Sequence, residues 1–167
     1  MGLLSFFKDA GEKLFGRGQA QAAQQAAAAD PSPEKIAAAN AAAGTAIEQY
    51  IQSMNLSATG LSVEFDSASS GVTVRGIAPD QTTKEKIVLC CGNVAGVASV
   101  NDQMTVEQPA DESQYYTVKS GDSLSAIAKQ FYGNANAYMQ IFEANKPMLS
   151  NPDRIYPGQN LRIPPAA

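Results

Sequence analysis

The chain has 167 residues, 12 of them basic and 16 acidic, a formal net charge of −4 and no histidine. A chain with no basic cluster offers little to nucleic-acid phosphates, and one without histidine has no Ser-His or Cys-His couple and no imidazole metal site. The acidic residues form no paired constellation and no apolar run is long enough to span a bilayer, so an enzyme and a membrane-spanning protein are both read out, and the length suits two small domains.

Residues 1–15 read as an N-terminal segment with a short amphipathic helix, in which Phe6, Phe7, Ala10 and Leu14 share a face and Gly11 loosens or ends the turn. Leu3, Leu4, Phe6 and Phe7 are too apolar to be left in water, so the segment is expected to pack on the domain that follows. No positive charge precedes this cluster and Lys8-Asp9 cut it short, which is not the pattern of a secretory leader. Phe6 stands where an N-acylation signal wants Ser or Thr. The adjacent Cys90 and Cys91 make poor geometry for a structural disulfide and fit a reducing compartment. These features together read as cytoplasmic. Residues 16–31, rich in Ala and Gln, read as a spacer of frayed helix or linker.

Residues 32–107 form the first expected domain. Ser32 as N-cap, Pro33 at the first helical position and Glu34 in the first turn start a helix whose core stripe is Ile47, Tyr50, Ile51 and Met54, with Asn55 near its end. Leu61, Val63 and Phe65 alternate, Ser67 to Gly71 supplies a loop, and Val72 and Val74 alternate again. Pro79-Asp80 opens a second helix, expected to turn Ile87, Val88 and Cys91 inward and Lys84, Glu85 and Lys86 to water, and Gly92 ends it. Val100, Met104 and Val106 mark a third strand, giving the order αββαβ. The run Gly71-Val72-Thr73-Val74-Arg75-Gly76 and the run Gly96-Val97-Ala98-Ser99-Val100-Asn101-Asp102 resemble the BON domain. Residues 108–114, polar and carrying Pro109, read as a linker.

Residues 115–164 form the second expected domain. Tyr116 and Val118 alternate up to Ser120-Gly121, and Asp122 stands where an N-cap belongs. Leu124, Ile127, Ala128 and Phe131 lie on one helical face that Gly133 closes. Tyr138, Ile141 and Phe142 repeat the pattern up to Pro147, and after the Pro157-Gly158 turn Leu161 and Ile163 form a last strand, giving βααβ. Tyr116 through Leu124, Ile127-Ala128, Asn145 and Ile155 through Pro164 closely resemble the LysM domain. That resemblance implies binding of N-acetylglucosamine-containing glycans in a shallow groove, here Gly121, Asp122, Ser123 and Leu124 with Ile155, Tyr156, Pro157 and Gly158.

The whole is an α+β chain of two small domains. A BON domain followed by a LysM domain, with the opening Met1-Gly2-Leu3, Lys8 to Leu14, Gly92-Asn93 and Ile141 to Leu149, resembles the small cytoplasmic bacterial potassium-binding proteins. The alanine-rich stretch 16–40 departs from that pattern and leaves the start of the first BON helix open. The resemblance implies a monomer that binds K+ selectively and compacts on doing so, through the backbone oxygens of Phe7, Ala10, Glu12, Gly92, Val94 and Val97. Elementary chemistry is compatible with this. Potassium is chosen over smaller ions by neutral carbonyls in number, and helix C-termini present unsatisfied carbonyls at the negative end of the macrodipole. Gly92 and Gly96 are expected to give that turn unusual backbone angles. The competing reading is an envelope protein that binds peptidoglycan or a related glycan. Sensing and buffering remain open as roles.

Overall fold

The computed structural model describes residues 32–94 and 97–166. The first unit runs α1 (Pro33–Ser53), β1 (Thr59–Asp66), β2 (Gly71–Asp80), α2 (Gln81–Gly92) and β3 (Ser99–Gln108). The second runs β4 (Gln114–Thr117), α3 (Leu124–Tyr132), a short 3-10 turn (Ala135–Ala137), α4 (Tyr138–Ala144) and β5 (Asn160–Ile163). The element order is that read from the periodicities. The helix expected near the N-terminus lies outside the described residues.

In the first unit β2 is the centre of a three-stranded sheet, antiparallel to β1 and parallel to β3, so α2 serves as the crossover between two parallel strands. The strands alternate as the sequence does. Val63, Phe65, Val72, Val74 and Met104 face the helices, where they meet Ala43, Ile47, Ile51, Ile87, Cys90 and Cys91 in one buried core. Each large side chain removed from water here stabilises the unit by roughly 1.5–3 kcal/mol. The other sheet face is polar. Arg75 lies across it, with Nη1 donating to Glu64 (2.9 Å) and Nε donating to Gln103 (2.9 Å).

α2 begins where Asp80 accepts the Thr83 N–H at 2.7 Å, as its position predicts. One expectation about this helix fails. Lys84 and Lys86 are partly exposed, but Glu85 between them is 3% exposed. The cause is the second unit, whose Arg162, together with Ser113 just before β4, packs on the Glu85 side of the helix and bonds to its carboxylate.

The second unit pairs β4 with β5 antiparallel, and α3 and α4 bury Leu124, Ile127, Ala128, Ile141 and Phe142 against Val118, Leu161 and Ile163. Gly133 ends α3 with φ 71°, the left-handed close that its place in the sequence requires. The N-cap is Ser123, whose Oγ accepts the Ala126 N–H at 3.1 Å, and not Asp122. Asp122 is drawn one residue back into the turn, where its carboxylate accepts from the Lys119 N–H (2.8 Å) and the Tyr116 hydroxyl.

Candidate functional site

Two regions carry the residues singled out in the sequence. The first is the connection from α2 to β3. Gly92 is the last residue of α2, Asn93 its C-cap, and Val94 and Val97 are fully buried. The Val97 N–H donates to the Val94 carbonyl at 3.2 Å and the Ala98 N–H to the Ser70 carbonyl at 2.7 Å. This places three of the six predicted ion-facing carbonyls on one short turn at the negative end of a 12-residue helix. Phe7, Ala10 and Glu12 lie outside the described residues, as does Gly96.

The expectation that Gly92 adopts an unusual backbone angle is not met. It is absent from the glycines with positive φ, and a Cβ built on it would make only ordinary contacts with Asn160 Nδ2 (3.5 Å) and Val100 (3.8 Å). The helix simply runs through Gly92, so the turn begins one residue later than the glycine suggests.

The turn is fastened to the second unit. Asn93 is 4% exposed, and its side chain pairs with the backbone of Asn160: Oδ1 accepts the Asn160 N–H at 2.9 Å and Nδ2 donates to the Asn160 carbonyl at 3.0 Å. Asn160 Nδ2 in turn donates to the Gly92 carbonyl at 3.4 Å. About two helical turns back, Glu85 receives the Arg162 Nε at 3.0 Å and the Ser113 N–H and hydroxyl at 2.8 and 2.9 Å. Arg162 also donates to the Ala144 carbonyl and the Thr82 hydroxyl. Both charges are nearly out of water, at 8% and 4% side-chain exposure, and each is surrounded by partners. Sequence reasoning missed the interface roles of Asn93, Asn160, Glu85 and Arg162. Glu85 stood between two lysines and read as surface, while Arg162 and Asn160 stood in a strand whose apolar alternation drew attention to their neighbours.

The second region is the pair of loops at one end of β4 and β5. The Val118 N–H donates to the Gln159 carbonyl and the Gly158 N–H to the Val118 carbonyl, both at 2.8 Å, which sets the two predicted glycan-groove segments side by side. They are not equally open. Gly121 and Ser123 are exposed, Leu124 is buried in the unit's core, and Ile155, Tyr156 and Pro157 are half-buried. Tyr156 turns towards the first unit: its hydroxyl oxygen is buried, burial pushes its pKa up to about 12, and it lies close enough to Tyr50 to help raise the pKa of that hydroxyl. Met148 from the same side packs on the first unit's core.

Nothing in this arrangement supports a hard-metal or thiolate site among the described residues, where no group of three His, Cys, Asp or Glu side chains converges. Burial raises the thiol of Cys90 to about 12 and that of Cys91 higher still, so both are packing groups and not nucleophiles at neutral pH. No helix of the described residues is long and apolar enough to cross a membrane.

Comparison with known proteins assigns the two units. Residues 39–108 match the BON domain and residues 116–164 the LysM domain. A Deinococcus radiodurans protein described as uncharacterized is 57% identical over 49 residues, 29% of this chain and 19% of that one. The uncharacterized protein YqbP of Bacillus subtilis is 40% identical over 58 residues, 29% of this chain and 26% of that one. The potassium binding protein Kbp of Escherichia coli is 47% identical over 168 residues, spanning 98% of this chain and 99% of its own. The chain therefore belongs to the same family as Kbp, built as a BON domain followed by a LysM domain.

Proposed function

We propose that the chain is a cytoplasmic, monomeric potassium-binding protein, acting as a sensor or a buffer, that coordinates K+ through backbone carbonyls of Gly92, Val94 and Val97 together with Phe7, Ala10 and Glu12. The observation that carries this reading is the 47% identity, over nearly the whole of both chains, with a protein named for potassium binding. The chemistry of the α2–β3 turn supports it. The carbonyls there are neutral, sit at a helix C-terminus, and have no carboxylate cluster beside them among the described residues, which suits a large monovalent ion better than a divalent one. Two of the three already accept a hydrogen bond, Gly92 from Asn160 and Val94 from Val97, yet a carbonyl oxygen has a second lone pair to offer a cation. Without the ion, carbonyl dipoles from the N-terminal segment and the turn would face one another with nothing between them, so the ion draws the segment in and compacts the chain.

Isothermal titration with KCl and NaCl in a buffer free of alkali ions tests the reading directly. Saturable heat with K+ at concentrations where Na+ gives none is expected, and loss of K+ binding when residues 1–14 are deleted. Glu12→Gln should bind K+ within about threefold of the parent, because the proposed ligand is a main-chain oxygen. A deletion that binds K+ normally refutes the site. The glycan reading rests on the LysM match and the adjoining loops, and a chitin oligomer that binds saturably while K+ does nothing would establish it in place of the first.

A further inference from the structure

β5 is a strand with β4 on one side only, so the backbone groups on its other side need partners. Two asparagine side chains supply them, each using an amide as a stand-in for a strand. Asn145, from the LysM domain itself, accepts the Arg162 N–H at 2.8 Å and donates to the Arg162 carbonyl at 2.9 Å. Asn93, from the BON domain, does the same for Asn160 two residues earlier. Asn145 is fixed within its own domain by a further bond to the Ile141 carbonyl at 2.7 Å. Asn93 has a different setting: it is the residue between Gly92 and Val94, and its side chain ties that turn to a strand of the other domain.

A side chain held by two bonds fixes the backbone that bears it. The peptide planes on either side of Asn93 carry the Gly92 and Asn93 carbonyls, and the one beyond carries that of Val94, so the directions in which these oxygens point depend on where β5 holds the amide. Asn160 adds a second restraint, since its Nδ2 donates to the Gly92 oxygen while the Thr117 hydroxyl donates to its Oδ1 at 2.8 Å and fixes the orientation of the side chain.

Resting on the potassium reading above, we infer that Asn93 and Asn160 are positioning residues for the ion site, and that the LysM domain sets ion affinity and selectivity by aiming carbonyls in the BON domain. Selectivity of a carbonyl cage depends on the number and spacing of oxygens offered, so a turn released from β5 can close on a smaller ion. The restraint therefore discriminates between K+ and Na+.

The test uses the full chain and reads both K+ affinity and the K+/Na+ affinity ratio by calorimetry, with thermal melting in the absence of either ion. Asn93→Ala removes both bonds to Asn160, and should weaken K+ binding about tenfold or more and narrow the ratio. Asn160→Ala keeps those two bonds and loses only the contacts with Gly92 and Thr117, and should weaken K+ binding by about two- to fivefold. Glu85→Gln loosens the same domain interface away from the turn, and should lower the melting temperature without moving the ratio. A folded Asn93→Ala with parental affinity and ratio overturns the proposal, as does Glu85→Gln narrowing the ratio as far as Asn93→Ala does. If Asn93→Ala does not fold, Asn160→Ala decides: unchanged K+ affinity overturns the proposal and a weakened one sustains it. A parent chain that takes up no K+ removes the potassium reading and this proposal with it, whereas a parent that binds and variants that match it remove this proposal alone.

Discussion

Gly44, in the middle of α1, has its missing side chain aimed at β1: a Cβ there would stand 2.5 Å from the Val63 carbonyl oxygen. Alanine is the better helix former by about 1 kcal/mol, but the clash is between two backbones and costs roughly 1–3 kcal/mol. Val63 cannot yield easily, since its N–H donates to Glu48 of the same helix at 2.9 Å. Gly44→Ala is therefore expected to lower the thermal melting point, and an unchanged or raised value would mean that α1 can lift off the sheet. Gly92 is the opposite case. It looked indispensable in the sequence, yet its ordinary φ and the room around its Cα predict that Gly92→Ala folds with little loss of stability. Glycine spacing in a sequence reveals a helix end, but not which glycine is needed for its angles and which for its size. Asp122 illustrates the same limit for polar residues. Its bond from Tyr116, and then that from the Lys119 N–H, holds its carboxyl below the usual range. A folded-state pKa lowered in this way adds stability that is complete above the ordinary carboxylate range and is lost as pH falls through the lowered value. Melting curves followed into acid should accordingly show the LysM unit losing stability, with a shallower acid dependence in Asp122→Asn.

α2 carries most of what the sequence could not tell. Its first buried face was legible in Ile87, Val88 and Cys91, of which Ile87 and Cys91 are fully buried and Val88 packs partly buried on the same core beside Cys90. Its second, Glu85 and Leu89, is buried by another domain, and a face covered by charge-paired polar groups has the same composition as one covered by water. Glu85→Ala should cost on the order of 3–5 kcal/mol, because Arg162 would be left nearly dry with its carboxylate gone. Replacing both partners, Glu85→Leu with Arg162→Met, should recover most of that loss in a chemical denaturation experiment, since neither charge then remains to be solvated. A double variant no better than the single one would assign the loss to Ser113, which also leans on Glu85. The helices of the LysM unit were legible because each has one buried face that its spacing reports, whereas in β5 the alternation reported Leu161 and Ile163 but not Arg162, buried on the opposite face.

At the scale of the whole molecule the two domains meet through β5, which offers Asn160 and Arg162 to α2 while closing its own sheet with β4. The sequence showed two modules and a short linker, and modules so divided are ordinarily free to move. Here the contact is built from groups 67 to 80 residues apart, between elements that each looked complete, and so it left no local signature. Its effect on ligand choice is direct. With Tyr156 drawn against the BON side, one wall of the expected glycan groove is partly taken up, and a chitin oligomer should bind the isolated LysM unit, if it binds at all, more tightly than it binds the full chain.

The same strand sets an order of events during synthesis. The BON elements leave the ribosome first and have their apolar core within residues 33–108, so they can fold while the rest is still being translated. Until Arg162 and Asn160 emerge, however, the nascent chain presents α2 with the Glu85 carboxylate and the Asn93 amide lacking their partners across the interface. Maturation is then a late, single event in which one short strand completes a sheet, neutralises a charge and fixes a turn at once. A chain released after Gln159 should accordingly retain a BON unit that protects its core amides from hydrogen exchange, while its α2 amides exchange faster than in the finished protein.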